Sequence, residues 1–67
     1  SEYFPEENEV EYRLAGLYFM IQDTTKAKFH LSNALRLKFD NYIILEDLFP
    51  VVWTRKMVQN YIAKHKK

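Results

Sequence analysis

The sequence predicts an all-α fold, an antiparallel helix pair followed by one short helix and one capping helix. Apolar residues recur at spacings of three and four over two consecutive stretches, and residues suited to capping helices stand between the periodic segments. No stretch sustains the alternation of a half-buried strand. At 67 residues there is room for one small domain, and 48% apolar content with five tyrosines, five phenylalanines and a tryptophan supports a packed core.

Residues 1–5 read as a lead-in. Pro5, then Glu6, Glu7 and Glu9, suits a first helical turn: the amide that proline lacks would have no intrahelical acceptor there, and acids favour the positive end of the helix dipole. The first helix is expected over residues 6–21. Val10, Leu14, Leu17, Tyr18 and Ile21 form a stripe expected to be its buried face. Tyr12, Gly16, Phe19 and Met20 form a second stripe off the first. A helix apolar on two sides either lies inside a stack or offers one side to a ligand.

Gln22 and Asp23 break the pattern, and Asp23, Thr24 and Thr25 are all N-cap candidates. The second helix is expected over residues 24–38. Ala27, Leu31, Ala34, Leu35 and Lys38 repeat along one side, while Lys26, Lys28, His30, Asn33 and Arg36 are mostly left for water. Small residues, Ala15 opposite Ala27 and Ala34, allow close approach of the two backbones, so a large side chain at Ala27 should cost about 1–3 kcal/mol through overpacking.

Asp40 and Asn41 make the next break. The run from Tyr42 to Phe49 could be a short helix ended by Pro50 or a buried strand, and helix is favoured because a lone strand would leave its backbone groups without partners. Beyond Pro50, Thr54 can cap a last helix striped by Met57, Val58, Tyr61 and Ile62, with Trp53 just before it and a basic tail after.

Several function classes are poorly supported. With no cysteine there is no disulfide framework or zinc–thiolate site. His30 and His65 stand in basic surroundings without other ligand types at metal spacing, and are expected to be surface residues. The adjacent acids Glu6 with Glu7, and Glu46 with Asp47, lack any nucleophile or orienting group nearby in sequence. Gly16, the sole glycine, lies inside a helix, so no phosphate loop exists. No catalytic residue, metal or cofactor is expected. Apolar runs fall far short of the roughly 20 residues needed to span a bilayer, so a soluble chain is expected. Ser1 without a preceding Met leads to the expectation of a fragment of a longer protein.

Net charge is +1, but five glutamates precede the first basic residue and Arg55, Lys56, Lys64, Lys66 and Lys67 close the chain. Helix-dipole complementarity accounts for this most simply. An acidic partner, or attraction between the ends of neighbouring chains, is the alternative.

The central stretch resembles a tetratricopeptide repeat: Leu14, Ala15 and Tyr18 in the first helix, then Ala27, Leu31 and Ala34 in the second, follow that family's signature spacing. These six are the expected helix-pair seam. Departures are Glu11 where the family prefers Trp, Ala15 where it prefers Gly, and Phe39 where it prefers Pro. At the family's period of about 34 residues a second copy fails, since Ala15 would become Phe49, Ala27 would become Tyr61 and Pro50 would fall inside a helix. Residues 6–39 are thus expected to be one repeat-like hairpin and residues 40–67 a C-terminal cap, the end of a longer array.

The resemblance implies a ligand-binding surface on the first helix, at Glu9, Tyr12, Arg13, Gly16, Phe19 and Met20. Against it stands the reading of Tyr12, Phe19 and Met20 as ordinary core. The family's carboxylate-clamp residues would fall at Tyr12 and Gly16, which do not match, so that specificity is not implied. The expected function is a non-enzymatic scaffold that binds a protein or peptide, or pairs with a second copy in a two-fold dimer. A small basic-faced nucleic-acid-binding domain, using Lys26, Lys28, Arg36, Lys38 and the tail, is the alternative.

Overall fold

A computed structural model describes residues 7–66. The lead-in and the expected helix start at Pro5 lie outside the described residues. Five α-helices follow one another: α1 (Glu7–Met20), α2 (Thr24–Leu37), α3 (Ile43–Leu48), α4 (Pro50–Trp53) and α5 (Lys56–His65), with a 3-10 turn at Phe39–Tyr42 before α3. The fold is all-α, and Tyr42 to Phe49 is helical rather than extended.

The turn between α1 and α2 is built by hydrogen bonds that close the first helix and open the second. The Gln22 amide donates to the Phe19 carbonyl at 3.1 Å and the Asp23 amide to the Tyr18 carbonyl at 2.9 Å, a Schellman ending. It requires a left-handed residue, and Gln22 supplies it at φ 67°, where glycine is usual. Asp23 then caps α2, its carboxylate accepting from the Lys26 amide at 3.2 Å. Sequence correctly marked both positions as the break.

α1 packs along α2 and against α3 and α4. Ala15, Ala27, Leu31 and Ala34 are all fully buried, so the two main helices approach over small side chains. Tyr18 is half-buried and stacks on His30 of α2 with ring centroids 5.4 Å apart, while Leu14 remains half-exposed at the margin. Val58 and Ile62 of α5 are buried, and the Tyr61 hydroxyl points to the Lys28 carbonyl of α2 at 3.4 Å.

Two details of the C-terminal part differ from expectation. α3 stops at Leu48, just before Pro50, as expected, but Pro50 also opens a helix. It occupies the first turn of a further short helix, where its missing amide is harmless, and the short helix and capping helix expected after residue 40 become three helices. Thr54 does not cap α5 either: its hydroxyl donates back to the Val51 carbonyl at 2.9 Å, and Arg55 stands at the N-cap without a side-chain bond.

Candidate interaction surface

The second stripe of α1 is largely buried, and the first is exposed at three of its five positions. Tyr12, Gly16 and Phe19, which the family resemblance placed on a ligand-binding surface, are buried together with Ala15 and Asn8, in keeping with the alternative reading of Tyr12 and Phe19 as core. Val10, Leu17 and Ile21, expected to be core, are 51%, 54% and 69% exposed. Met20, also expected to face a ligand, is 51% exposed and joins them.

Three contacts explain why the Tyr12 side faces inward. Tyr12 shares its one hydroxyl hydrogen between two carbonyls just past α2, Lys38 at 2.7 Å and Phe39 at 3.0 Å, and the Lys38 carbonyl also accepts from the Asn41 amide at 3.1 Å. Desolvation by burial, then the nearby Asp40 and Tyr42, raises its phenol pKa well above the ordinary tyrosine value, so it is a permanent donor. Asn8, nearly buried, accepts from the Asn41 amide group at 2.7 Å. Gly16 receives the ring of Phe49 so closely that a Cβ placed there would lie 2.3 Å from Phe49 Cδ2. Ala15 and Gly16 therefore permit approach on adjacent sides of one face, α2 on the first and the α3–α4 junction on the second. Those two small residues were the available signal: helices close on small side chains, and the face between Ala15 and Gly16 is the Tyr12–Phe19 face.

The opposite face of α1 runs from Val10 through Arg13, Leu14 and Leu17 to Met20, with Ile21 just beyond. Val10, Leu14 and Leu17 are four and three residues apart, as are Arg13, Leu17 and Met20, which makes a continuous strip on a helix. Arg13 is exposed and paired with half-exposed Glu9 at 3.7 Å, an i,i+4 contact in water worth about 0.3–0.5 kcal/mol. Leu48 and Val51, on either side of Phe49 in sequence, and Glu46 and Asp47 before them on α3 are exposed. The strip is apolar apart from Arg13, with exposed Glu7 and half-exposed Glu9 at its N-terminal end.

One cross-helix contact was invisible in the sequence. His30 Nδ1 lies 2.7 Å from Glu11 Oε1, with both side chains only 20% exposed, so His30 is tied into the α1–α2 seam rather than loose on the surface. His65 Nδ1 lies 3.0 Å from the Tyr61 carbonyl. A shallow groove of about 700 Å³ lies where the ends of α2 and α5 meet, bordered by Leu35, Phe39 and the mixed charges of Arg36, Asp40 and Lys66. No described helix is long and apolar enough to cross a membrane.

No family model, curated protein or solved structure matches this chain.

Proposed function

We propose that the chain is a non-enzymatic protein-interaction module, a tetratricopeptide-like helical hairpin closed by capping helices, which holds a protein or peptide along the outer face of α1. The observation that carries this reading is the strip of Val10, Leu17, Met20 and Ile21, each more than half exposed on a helix whose other face is fully packed. A small chain gains nothing in its own fold from such a strip, and contiguous exposed apolar surface is what interaction sites present. Glu7 and Glu9 at its N-terminal end favour a helical partner with an apolar face and a basic flank. Of the residues first expected to contact that partner, Glu9, Arg13 and Met20 lie on this surface, and Leu17 and Val10 take the place of Tyr12, Gly16 and Phe19. The family resemblance adds that residues 40–67 would cap a repeat array.

Titrating a model amphipathic peptide, leucine on one face and lysine on the other, tests the reading. Leu17→Asp should weaken its binding by about tenfold or more, equivalent to about 1.4 kcal/mol. Equal affinity for both proteins would remove the α1 face from consideration.

A nucleic-acid-binding role draws on a different observation: α2 and α5 carry Lys26, Lys28, Arg36, Lys56 and Lys64 with no acid between them. Three of these are already engaged, Lys26 with Asp23, Lys28 over the Tyr61 ring and Arg36 with Ser32 and Asn33. Salt-dependent retention on a DNA column would favour this second reading, and no retention at low salt would dismiss it.

A further inference from the structure

We propose that the groove between α5 and the chain leaving α2 binds a small, flat aromatic carboxylate, with its rings toward Phe39, Tyr42 and Trp53 and its acid group at Arg36 and Lys66. None of the residues that border this groove belongs to α1, so the site is separate from the exposed strip.

Two hollows adjoin beside α5. The groove of about 700 Å³ at the ends of α2 and α5 shares Phe39 and Lys66 with a smaller recess of about 200 Å³ that reaches Tyr42, Trp53 and Ala63. The larger hollow alone falls within the roughly 300–1,000 Å³ of small-molecule sites. Local sequence leaves the space open. α5 is anchored at buried Val58 and Ile62, but the next residue, Ala63, is exposed and too small to fill the recess that it borders.

The chemistry changes along the hollow. At one end three partly buried rings are fixed against one another, Phe39 meeting Tyr42 edge to face with centroids 5.6 Å apart and Tyr42 stacking on Trp53 at 5.5 Å. Rings held in this way can receive a further flat ring at little cost in side-chain freedom. At the other end stand two exposed cations. Arg36 donates to Asn33 Oδ1 at 2.6 Å and to Ser32 Oγ at 3.3 Å, which sets its position while leaving its charge unanswered, since both acceptors are neutral. Among the described residues, no acid lies within ion-pair distance of Arg36 or Lys66.

These two cations border the groove together with one acid, Asp40, so its lining is net positive and favours an anion. A carboxylate matches the planar fork of the guanidinium. Length sets the size of the ligand. α5 lines the two hollows from Gln59 to His65, about 9 Å along the helix axis, which suits two fused rings with a short acid arm.

Naphthaleneacetate is the probe, and the indole N–H of Trp53, the single tryptophan, is the reporter in heteronuclear NMR at low salt. The probe should shift this signal and the amides of Arg36, Phe39 and Lys66 along one saturating curve. Naphthaleneethanol, which has the same rings without the charge, should bind about tenfold or more weakly. Arg36→Gln should weaken naphthaleneacetate by a similar factor, and Asp40→Asn should tighten it by removing the opposing charge. Ala63→Phe should abolish binding by filling the recess, while Leu17→Asp on α1 should leave it unchanged. All four substitutions are at exposed positions, and unchanged helical circular dichroism checks that each variant is folded. Shifts that never saturate overturn the proposal, as does equal binding of the acid and the alcohol. So does a folded Asp40→Asn protein that binds the acid more weakly, or loss of binding on Leu17→Asp.

Discussion

The two faces of α1 have almost the same hydrophobicity and opposite fates. On one, Tyr12, Ala15 and Phe19 are entirely buried, while on the other Val10, Leu17, Met20 and Ile21 remain mostly in water. Apolar character therefore does not select the inner face here. What distinguishes the buried side is that it combines small residues, which let neighbouring helices come close, with a tyrosine whose hydroxyl bonds to the carbonyls just past α2. The outer side has bulk without either device. The buried face should thus govern stability and the outer face association, and substitutions can separate the two.

The largest effect is expected at Phe19. Phe19→Ala removes a fully buried ring and should cost about 3–5 kcal/mol, most of the stability of so small a domain, in urea or thermal unfolding. A loss below about 1 kcal/mol would mean that this face is not the core. Next comes Gly16→Ala. Helix propensity alone would make it stabilising by about 1 kcal/mol. Because the new methyl meets the Phe49 ring, overpacking of about 1–3 kcal/mol should outweigh that gain and leave a net loss, which Phe49→Leu should partly relieve in a double-mutant cycle.

Tyr12→Phe should cost about 1–2 kcal/mol at neutral pH, since the buried hydroxyl's hydrogen bond to the Lys38 and Phe39 carbonyls is lost. It should also change the alkaline limb. Burial raises the folded-state phenol pKa above the unfolded value of 10.0, so the folded chain holds this proton more tightly. Stability from Tyr12 is therefore fully present below pH 10.0 and declines as pH rises above it, and the phenylalanine variant should lack that part of the decline. The smallest effect is expected at Gln22, where Gln22→Gly should stabilise by about 0.5–1 kcal/mol by relieving the left-handed conformation, with a raised melting temperature as the readout.

Local chemistry made much of the hairpin legible. Asp23 as a cap, the Ala27, Leu31, Ala34 and Leu35 stripe and the lack of alternating segments led to two helices with nearly the observed limits and to an all-α chain. The choice between the stripes of α1 was not legible from periodicity, because periodicity locates an apolar face without saying which neighbour covers it. The C-terminal part misled for a related reason. Proline can both end one helix and start another, and the non-helical Phe49 backbone between α3 and α4 shows that Pro50 does both. Glu11 and His30 are 19 positions apart and meet only because the two helices run side by side. Whether this chain acts as a tetratricopeptide repeat rests on the proposals above.

Thiol reactivity tests the assignment of the two faces most directly, because the chain has no cysteine of its own. Leu17→Cys and Ala15→Cys place one thiol on each side of α1 with little change in bulk. The thiol at position 17 should react at the rate of an unprotected cysteine. The one at position 15 should react about a hundredfold or more slowly, at a rate set by opening of the fold. Equal rates, or faster reaction at position 15, would contradict the assignment of the inner and outer faces on which the interaction surface depends.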